Sequence, residues 1–361
     1  DRPRQPLLRD GNDKLAITVD GALNRAADAL RTASGIIGIG SPRASLESNF
    51  ALRELVGADN FYAGVEQSEW ACLQKMLHVL HQGGVRTPSL RDMEEADAVL
   101  VLGEDVTQTA ARIALALRQA VKGKGREIAR KLKVDLWQVA AVQTLAQNER
   151  YPLLITSLDQ TRLDDVAADT LHAPHADQAR LGFAIAHLLD GSAPAPQDLD
   201  ADQLAQASRW AELLGNAKKP LIIAGSGARS QALIEAASNI AHALKGRGQA
   251  VELALVAQEA NSLGLAMLAG NAAPLEAALE RIEGSDRLAL ITLENDLYRR
   301  APRNRIDAAI KRLQHLLVVD HQDTRTAQQA HLVLPAASFA EADGTLINME
   351  GRAQRFFQVY A

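Results

Sequence analysis

Leu334-Pro335-Ala336-Ala337-Ser338-Phe339-Ala340-Glu341-Ala342-Asp343-Gly344-Thr345-Leu346-Ile347-Asn348-Met349-Glu350-Gly351-Arg352-Ala353-Gln354 is the stretch that decides how this chain reads. A β-like run over residues 331–334 stops at Pro335, and the residues beyond it alternate small, acidic and glycine types too polar for a core strand. The stretch therefore reads as a loop leaving the carboxyl end of a strand, which is where open α/β sheets hold their ligands. Taken alone, Asp343-Gly344-Thr345 is a tight turn in which glycine supplies a positive φ.

Working outward, short apolar runs recur at residues 35–40, 98–102, 153–156, 221–225, 251–256, 288–293 and 316–319. Continuous apolar runs bounded by glycine and polar residues are the pattern of strands buried on both faces, and helical periodicity between them points to parallel sheets. Asp20 reads as the N-cap of a helix carrying Leu23, Ala26, Ala27 and Leu30. After residues 35–40 the loop Gly40-Ser41-Pro42-Arg43-Ala44-Ser45-Leu46-Glu47-Ser48-Asn49 leads into another helix, a βα turn that suits a phosphate or serves turn geometry only. Gly103-Glu104-Asp105 is the turn after residues 98–102, with Thr107 capping the next helix; two acids at that strand end repel a diphosphate.

Asp190-Gly191-Ser192-Ala193-Pro194-Ala195-Pro196 is the most linker-like segment. The expected organisation is two Rossmann-like α/β lobes: residues 1–190, with a basic helical insertion around 118–150, and residues 200–361, ending in the 334–354 loop. The insertion carries Arg118, Lys122, Lys124, Arg126, Arg130, Lys131 and Lys133 against one acid, Glu127. Without interleaved aromatics it reads as a solvated face or subunit contact rather than a nucleic-acid patch. Trp137 is expected to anchor the next helix.

At 361 residues, 47% hydrophobic and 23% charged, the chain can bury two cores. A net charge of -5 gives no reason to expect nucleic acid or an anionic membrane as partner, and no run approaches the roughly 18–20 apolar residues of a membrane span. The single cysteine, Cys72, excludes an internal disulfide and any cluster ligated by three or four thiolates of this chain. Asp1-Arg2-Pro3-Arg4 and Ala361 both read as cuts in a longer polypeptide.

The 334–354 string as a whole resembles the end of the molybdopterin-guanine-dinucleotide oxidoreductase domain, whose pattern runs Leu-Pro, Glu, Asp-Gly-Thr, Asn, Glu-Gly-Arg and Gln. Ser41-Pro42-Arg43-Ala44-Ser45 and residues 348–357 resemble one branch of that superfamily, the G subunits of bacterial NADH:quinone oxidoreductase, respiratory complex I. The resemblance spans nearly the whole chain and implies the formate dehydrogenase/DMSO reductase type of fold. It further implies a complex that oxidises NADH, passes electrons along iron-sulfur clusters to a quinone and pumps protons. Those clusters would sit in an N-terminal region not included here, and the superfamily's C-terminal cap would also be missing.

The departures from the superfamily pattern fall at its ligand-binding points. Gly-x-Asn-Pro is replaced at Gly103-Glu104-Asp105, Asp-Pro-Arg at Asp159-Gln160-Thr161, Gly-Thr at His175-Ala176, and the proline after Glu294-Asn295 by Asp296. A glycine lying against a nucleotide cannot become histidine without filling that space. Glu294 and Asn295 offer paired donors and acceptors to a base or ribose, or are turn residues. Ser68 lies near the superfamily's molybdenum-ligand position without its flanking basic residue and histidine, and Cys72 sits on a helical pattern as a buried thiol. His78 with His81 and His172 with His175 lack a third metal ligand, and His321 between Asp320 and Asp323 has no nucleophile beside it.

The expected function is a structural scaffold in the peripheral arm of complex I, without catalytic residues, metal or cofactor of its own, molybdopterin included. Its partners are other peripheral-arm subunits, with no nucleic acid and no direct membrane contact, on the cytoplasmic side of the bacterial inner membrane. The vestigial-pocket candidates are Gly40, Ser41, Asn49, Gly103, Gly225, Asn261, Glu294, Asn295, Asp343 and Asn348. Two alternatives stand beside this: a catalytic molybdopterin oxidoreductase such as a formate dehydrogenase, and a guanine-nucleotide-binding module.

Overall fold

A computed structural model describes residues 2–11 and 13–360; Asp1 and Ala361, the outer bounds of the expected lobes, lie outside them. The strands in chain order are β1 (Leu7–Asp10), β2 (Asp13–Ala16), β3 (Gly35–Ile39), β4 (Phe61–Tyr62), β5 (Ala98–Leu102), β6 (Leu153–Ser157) and β7 (Asp169–His172). They continue with β8 (Pro220–Gly225), β9 (Glu252–Val256), β10 (Leu288–Leu293), β11 (His315–Asp320), β12 (Leu332–Pro335), β13 (Gly344–Ile347) and β14 (Ala353–Phe356). Two compact units form, one from Asp1–Leu73 with Glu259–Ala361, the other from Gln74–Gln258.

That division corrects the expected one at residues 190–200. The linker-like segment does lie exposed between two helices, His175–Leu189 and Ala201–Gly215. Yet the chain beyond it returns to the same sheet, where β8 pairs with β5 in parallel, Leu221 opposite Val99 and Ile223 opposite Val101. Proline and small residues mark exposed backbone, and exposed backbone is not the same thing as a boundary between cores.

In the Gln74–Gln258 unit the sheet order is β7-β6-β5-β8-β9, all parallel. From β5 the crossovers run one way to β6 and β7 and the other way to β8 and β9. The order reverses between β5 and β8, and a crevice opens at the carboxyl ends of strands where such a reversal occurs. Every residue of β5, β6 and β8 is buried, as expected for strands covered on both faces. Trp210, fully enclosed, donates its indole N–H to Asp169 at 2.7 Å, so the largest side chain of this core brings no unpaired polar atom with it.

In the other unit the order is β2-β1-β12-β11-β10-β3-β4, with a parallel core of β12 to β4 and an antiparallel edge hairpin, β1–β2. Here the reversal lies between β3 and β10, which pair as Leu290 opposite Ile37. The first helix, Val19–Thr32, is capped by Thr18 and not by the expected Asp20: the Thr18 hydroxyl accepts the Gly21 N–H at 3.2 Å. Likewise Asp105, not Thr107, caps the turn Val106–Thr109, and the longer helix starts only at Ala111.

Two further expectations are corrected. The 334–354 stretch is not all loop: β13 and β14 pair as an antiparallel hairpin, Thr345 opposite Arg355. The positive φ falls at Gly351, +72°, in the hairpin turn. Gly344 is needed for space, because a Cβ there would lie 2.5 Å from the Phe356 ring. Around 118–150 the chain is helical as expected, with helices Gly123–Lys131 and Val139–Ala146 packed on each other. Trp137, however, is 78% exposed and anchors nothing within the unit.

Candidate functional site

At the β3/β10 reversal the loops that leave the strands are laced together by their own side chains. Asn49, on the first turn of the helix Leu46–Val56, accepts the Ser41 N–H at 2.9 Å and donates to the carbonyls of Ser41, Ser45 and Ala44 at 2.9, 3.0 and 3.3 Å. The Ser41 hydroxyl donates to the Glu294 carbonyl at 2.8 Å, and Arg43 donates to the same oxygen at 2.7 Å. Glu294 has φ +40°, an unusual conformation for a side-chain-bearing residue, held by those two donors and by its own N–H on the Val319 carbonyl at 2.7 Å.

Asn295 ties the arrangement across three chain crossings. Its amide donates to the Gly40 and Gly64 carbonyls at 2.9 and 2.8 Å, and its oxygen accepts from Arg300 at 3.2 Å. Gly64 is a glycine because two crossings nearly touch, a Cβ there lying 2.0 Å from the Gly40 carbonyl oxygen, and Gly40 because a Cβ would lie 2.6 Å from the Phe61 ring. Asn261 repeats the motif, donating to the Ala44 carbonyl at 2.7 Å and accepting the Ile347 N–H at 3.0 Å. Gly40, Ser41, Asn49, Asn261, Glu294 and Asn295 thus belong to one network.

Asp343 and Asn348 do other work. Asp343 accepts the Gln358 N–H at 2.7 Å, and Asn348 accepts the N–H groups of Glu350 and Arg352, each at 3.0 Å, closing the β13–β14 turn. Gly64 and Arg300 are not among the residues that the sequence singles out. Arg300 stands 2.5 Å from Glu259 and 3.7 Å from Glu69, whose carboxylate is fully enclosed. Their only sequence signal is a charge inside a helical pattern and a glycine beside one, too common to act on.

Beside this network a cleft of about 520 Å³ is lined by Arg2, Arg43, Arg299, Arg325, Asp296 and Asp323 among others. Most of its charge is already engaged. Arg2 bridges Glu341 at 2.5 Å, Arg43 holds Glu294, Arg325 lies 4.6 Å over the Tyr298 ring, and Asp296 accepts the Thr326 hydroxyl at 2.8 Å. His321 Nδ1 is 3.6 Å from both Glu294 and Asp320, beyond direct hydrogen bonding. Burial pushes the Asp320 carboxyl above its usual range.

In the other unit Gly103 and Gly225 flank the β5/β8 reversal, and Gly103 with Gly227 lines a cleft of about 310 Å³. Gly103, at φ +74°, donates its N–H to the Thr156 hydroxyl at 2.9 Å. Glu104, only 2% exposed, turns its carboxylate onto the glycine turn after β8, accepting the Gly227 N–H at 3.0 Å and the Thr109 hydroxyl at 2.8 Å. Burial pushes the Glu104 carboxyl above the ordinary carboxylate range, against these two donors. Gln160, Thr161 and His175 line the same cleft, and burial lowers the His175 pKa, which keeps the ring neutral at pH 7.

Ser68 is exposed and donates to Glu66 at 3.3 Å, and Cys72 is buried in the helix Gln67–Gln82. Among the described residues no group of three or more histidine, cysteine or acidic side chains is placed to hold a metal ion, and no helix is long and apolar enough to cross a membrane.

A family profile described as molybdopterin oxidoreductase matches residues 2–361. Curated relatives include the G subunit of NADH-quinone oxidoreductase from Shewanella oneidensis, 80% identical over all 361 residues, and the G subunits from Salmonella typhimurium and Escherichia coli K12, 55% and 54% identical over 360. The chain spans about 40% of the length of these relatives. Among solved structures, acetylene hydratase from Pelobacter acetylenicus superposes with a TM-score of 0.66 at 12% identity, covering 99% of this chain and 58% of that one. A formyltransferase/hydrolase complex from Methylorubrum extorquens in complex with methylofuran gives 0.62 at 15%, covering 98% and 93%. At such identities the superpositions speak for the fold alone.

Proposed function

The chain belongs to the molybdopterin oxidoreductase family, and from that premise we propose that it is a scaffold within an NADH:quinone oxidoreductase, holding neither pterin nor metal. The complex is assigned through the relatives, of which the Shewanella oneidensis protein is 80% identical across the chain. Its NADH oxidation, electron transfer and proton pumping belong in this reading to other parts of the assembly. The chain would lie in the peripheral arm on the cytoplasmic side of the bacterial inner membrane, touching other subunits and no nucleic acid.

One observation carries the scaffold reading: at both strand-order reversals the buried amide and carboxylate side chains are spent on the chain itself. Asn49, Asn261 and Asn295 satisfy backbone carbonyls, and the Glu104 carboxylate occupies the glycine turn. The residues present do not fit a pterin dinucleotide. An incoming phosphate would have to displace a buried carboxylate from Gly227, and a base would have to break amide–carbonyl bonds whose orphaned groups each cost about 1–3 kcal/mol.

The test is elemental analysis for molybdenum and tungsten on the complex purified from native membranes, with pterin fluorescence after acid release. Neither metal is expected above trace amounts per complex. Stoichiometric molybdenum with released pterin would overturn the reading. Calorimetric titration of the chain with guanine nucleotides is expected to give no binding heat.

A further inference from the structure

The turn Gly225-Ser226-Gly227, which begins at the last residue of β8, is packed closely against its neighbours. A Cβ on Gly225 would lie 2.4 Å from the Val256 carbonyl oxygen and 2.5 Å from a Glu104 carboxylate oxygen. A Cβ on Gly227 would lie 2.5 and 2.7 Å from the two oxygens of that same carboxylate. Neither glycine has a positive φ, so both are demanded by what lies against them and not by their own backbone conformation. What lies against them is the Glu104 carboxyl group. Glu104 accepts the Gly227 N–H and the Thr109 hydroxyl, and the Ser226 hydroxyl, fully buried in the same turn, makes no hydrogen bond.

We propose that Glu104 is a tethered oxyanion, filling from within a cradle made by the Gly225–Gly227 turn and Thr109 that would otherwise take an external carboxylate or phosphate. Three features agree. The carboxylate arrives from the strand end on the far side of the order reversal, so closing the cradle also locks β5 to β8. The cleft outside it is lined by Asp105 and Asp159 with no lysine or arginine, so a free anion gains no attraction from the approach. Glu104 accordingly depends on donors alone, and burial in that setting raises its pKa.

The inference rests on the cofactor-free reading above but fails separately from it: molybdenum in the native complex would sink that reading, whereas a formate titration of Glu104 variants addresses this residue alone. Glu104→Ala removes the tethered carboxylate and leaves room for formate or acetate. Its thermal midpoint is expected to rise by about 3 °C or more on titration with sodium formate at constant ionic strength, saturably, relative to sodium chloride. Wild type and Glu104→Gln, in which the space stays filled, are expected to show no formate-specific shift. If Glu104→Ala does not stay folded in chloride, its refolding yield with and without formate gives the same comparison. Equal responses of Glu104→Ala and Glu104→Gln to formate and acetate, in midpoint or in yield, would overturn the proposal.

Discussion

Replacing Asn49 by Asp separates a side chain that binds a ligand from one that holds the fold. Asn49 is fully enclosed, and its NH2 group faces three carbonyl oxygens at 2.9–3.3 Å. Asn49→Ala loses those donors and the acceptor for the Ser41 N–H, a cost of roughly 2–5 kcal/mol. Asn49→Asp keeps the shape and the Ser41 bond but turns a donor into a carboxylate aimed at the same carbonyls. Such a carboxyl resists ionisation, so its folded-state pKa rises above the ordinary value of ~3.9; every unit of rise costs about 1.4 kcal/mol at pH 7, and three units cost about 4. Its place in the first turn of the helix returns only about 0.3–1 kcal/mol.

Asn49→Asp should therefore be clearly less stable than wild type at pH 7.5. Because the raised pKa lets the folded state bind a proton that the unfolded state has released, the stability present at low pH is lost as pH rises through the folded value, and the deficit should shrink on acidification. Urea denaturation followed by circular dichroism at pH 7.5, 6.5 and 5.5 measures both effects. An Asn49→Asp protein as stable as wild type, as a solvent-facing ligand contact would allow, refutes the reasoning. So does a deficit that is independent of pH.

The same geometry sets three other outcomes. Gly64→Ala places a Cβ 2.0 Å from the Gly40 carbonyl oxygen and 2.1 Å from the Asn295 amide, and should lower the yield of folded protein sharply; normal yield would mean the crossings are further apart. Arg300→Ala removes the 2.5 Å partner of Glu259 and a cation 3.7 Å from the enclosed Glu69, and should cost about 1.5–3 kcal/mol in urea, with Arg300→Lys in between. On the basic hairpin, hydrogen bonds from Lys131, Tyr151 and Lys124 hold the Glu127 carboxyl down at about 2, while burial first and Glu127 second push Tyr151 up to about 12. A depressed carboxyl adds stability above its ordinary range and loses it as pH falls toward about 2. Glu127→Ala should flatten that acid limb and lower the Tyr151 ionisation only part of the way, because burial remains; an unchanged tyrosinate titration would count against the contact.

The strands were legible where burial on both faces forced a continuous apolar run. Ala98–Leu102 and Leu288–Leu293 read to the residue, Thr292 being the one polar side chain in either run. The edge hairpin β1–β2, Leu7–Asp10 and Asp13–Ala16, was not legible. An edge strand keeps charged residues on its open side, and its partner β12 lies at the other end of the chain. The grouping of strands into units was hidden for the same reason: β5 and β8 are united by pairing, and pairing between distant segments leaves no local mark. At the candidate sites residue types were legible and roles were not. The sequence placed Gly40, Ser41, Asn49 and Asn295 among the candidates for a vestigial pocket, but whether an amide points at a ligand or at its own backbone is decided by where the next loop lands.

Where an amide points also decides what loops at a strand-order reversal do in the absence of a ligand. Loops at a strand-order reversal are backbone-rich, and backbone carbonyls left without donors in a dry crevice cost free energy whether or not the protein has chemistry to perform. In a binding protein the ligand supplies the donors and the loops remain free to move until it arrives. Here the side chain of Asn295 joins Gly40 and Gly64 from a third segment, and Glu104 joins Gly227 from across the reversal. Each does permanently what a ligand would do transiently. The same exchange makes the strand ends fixed reference points, and fixed points are what the proposed scaffold role requires.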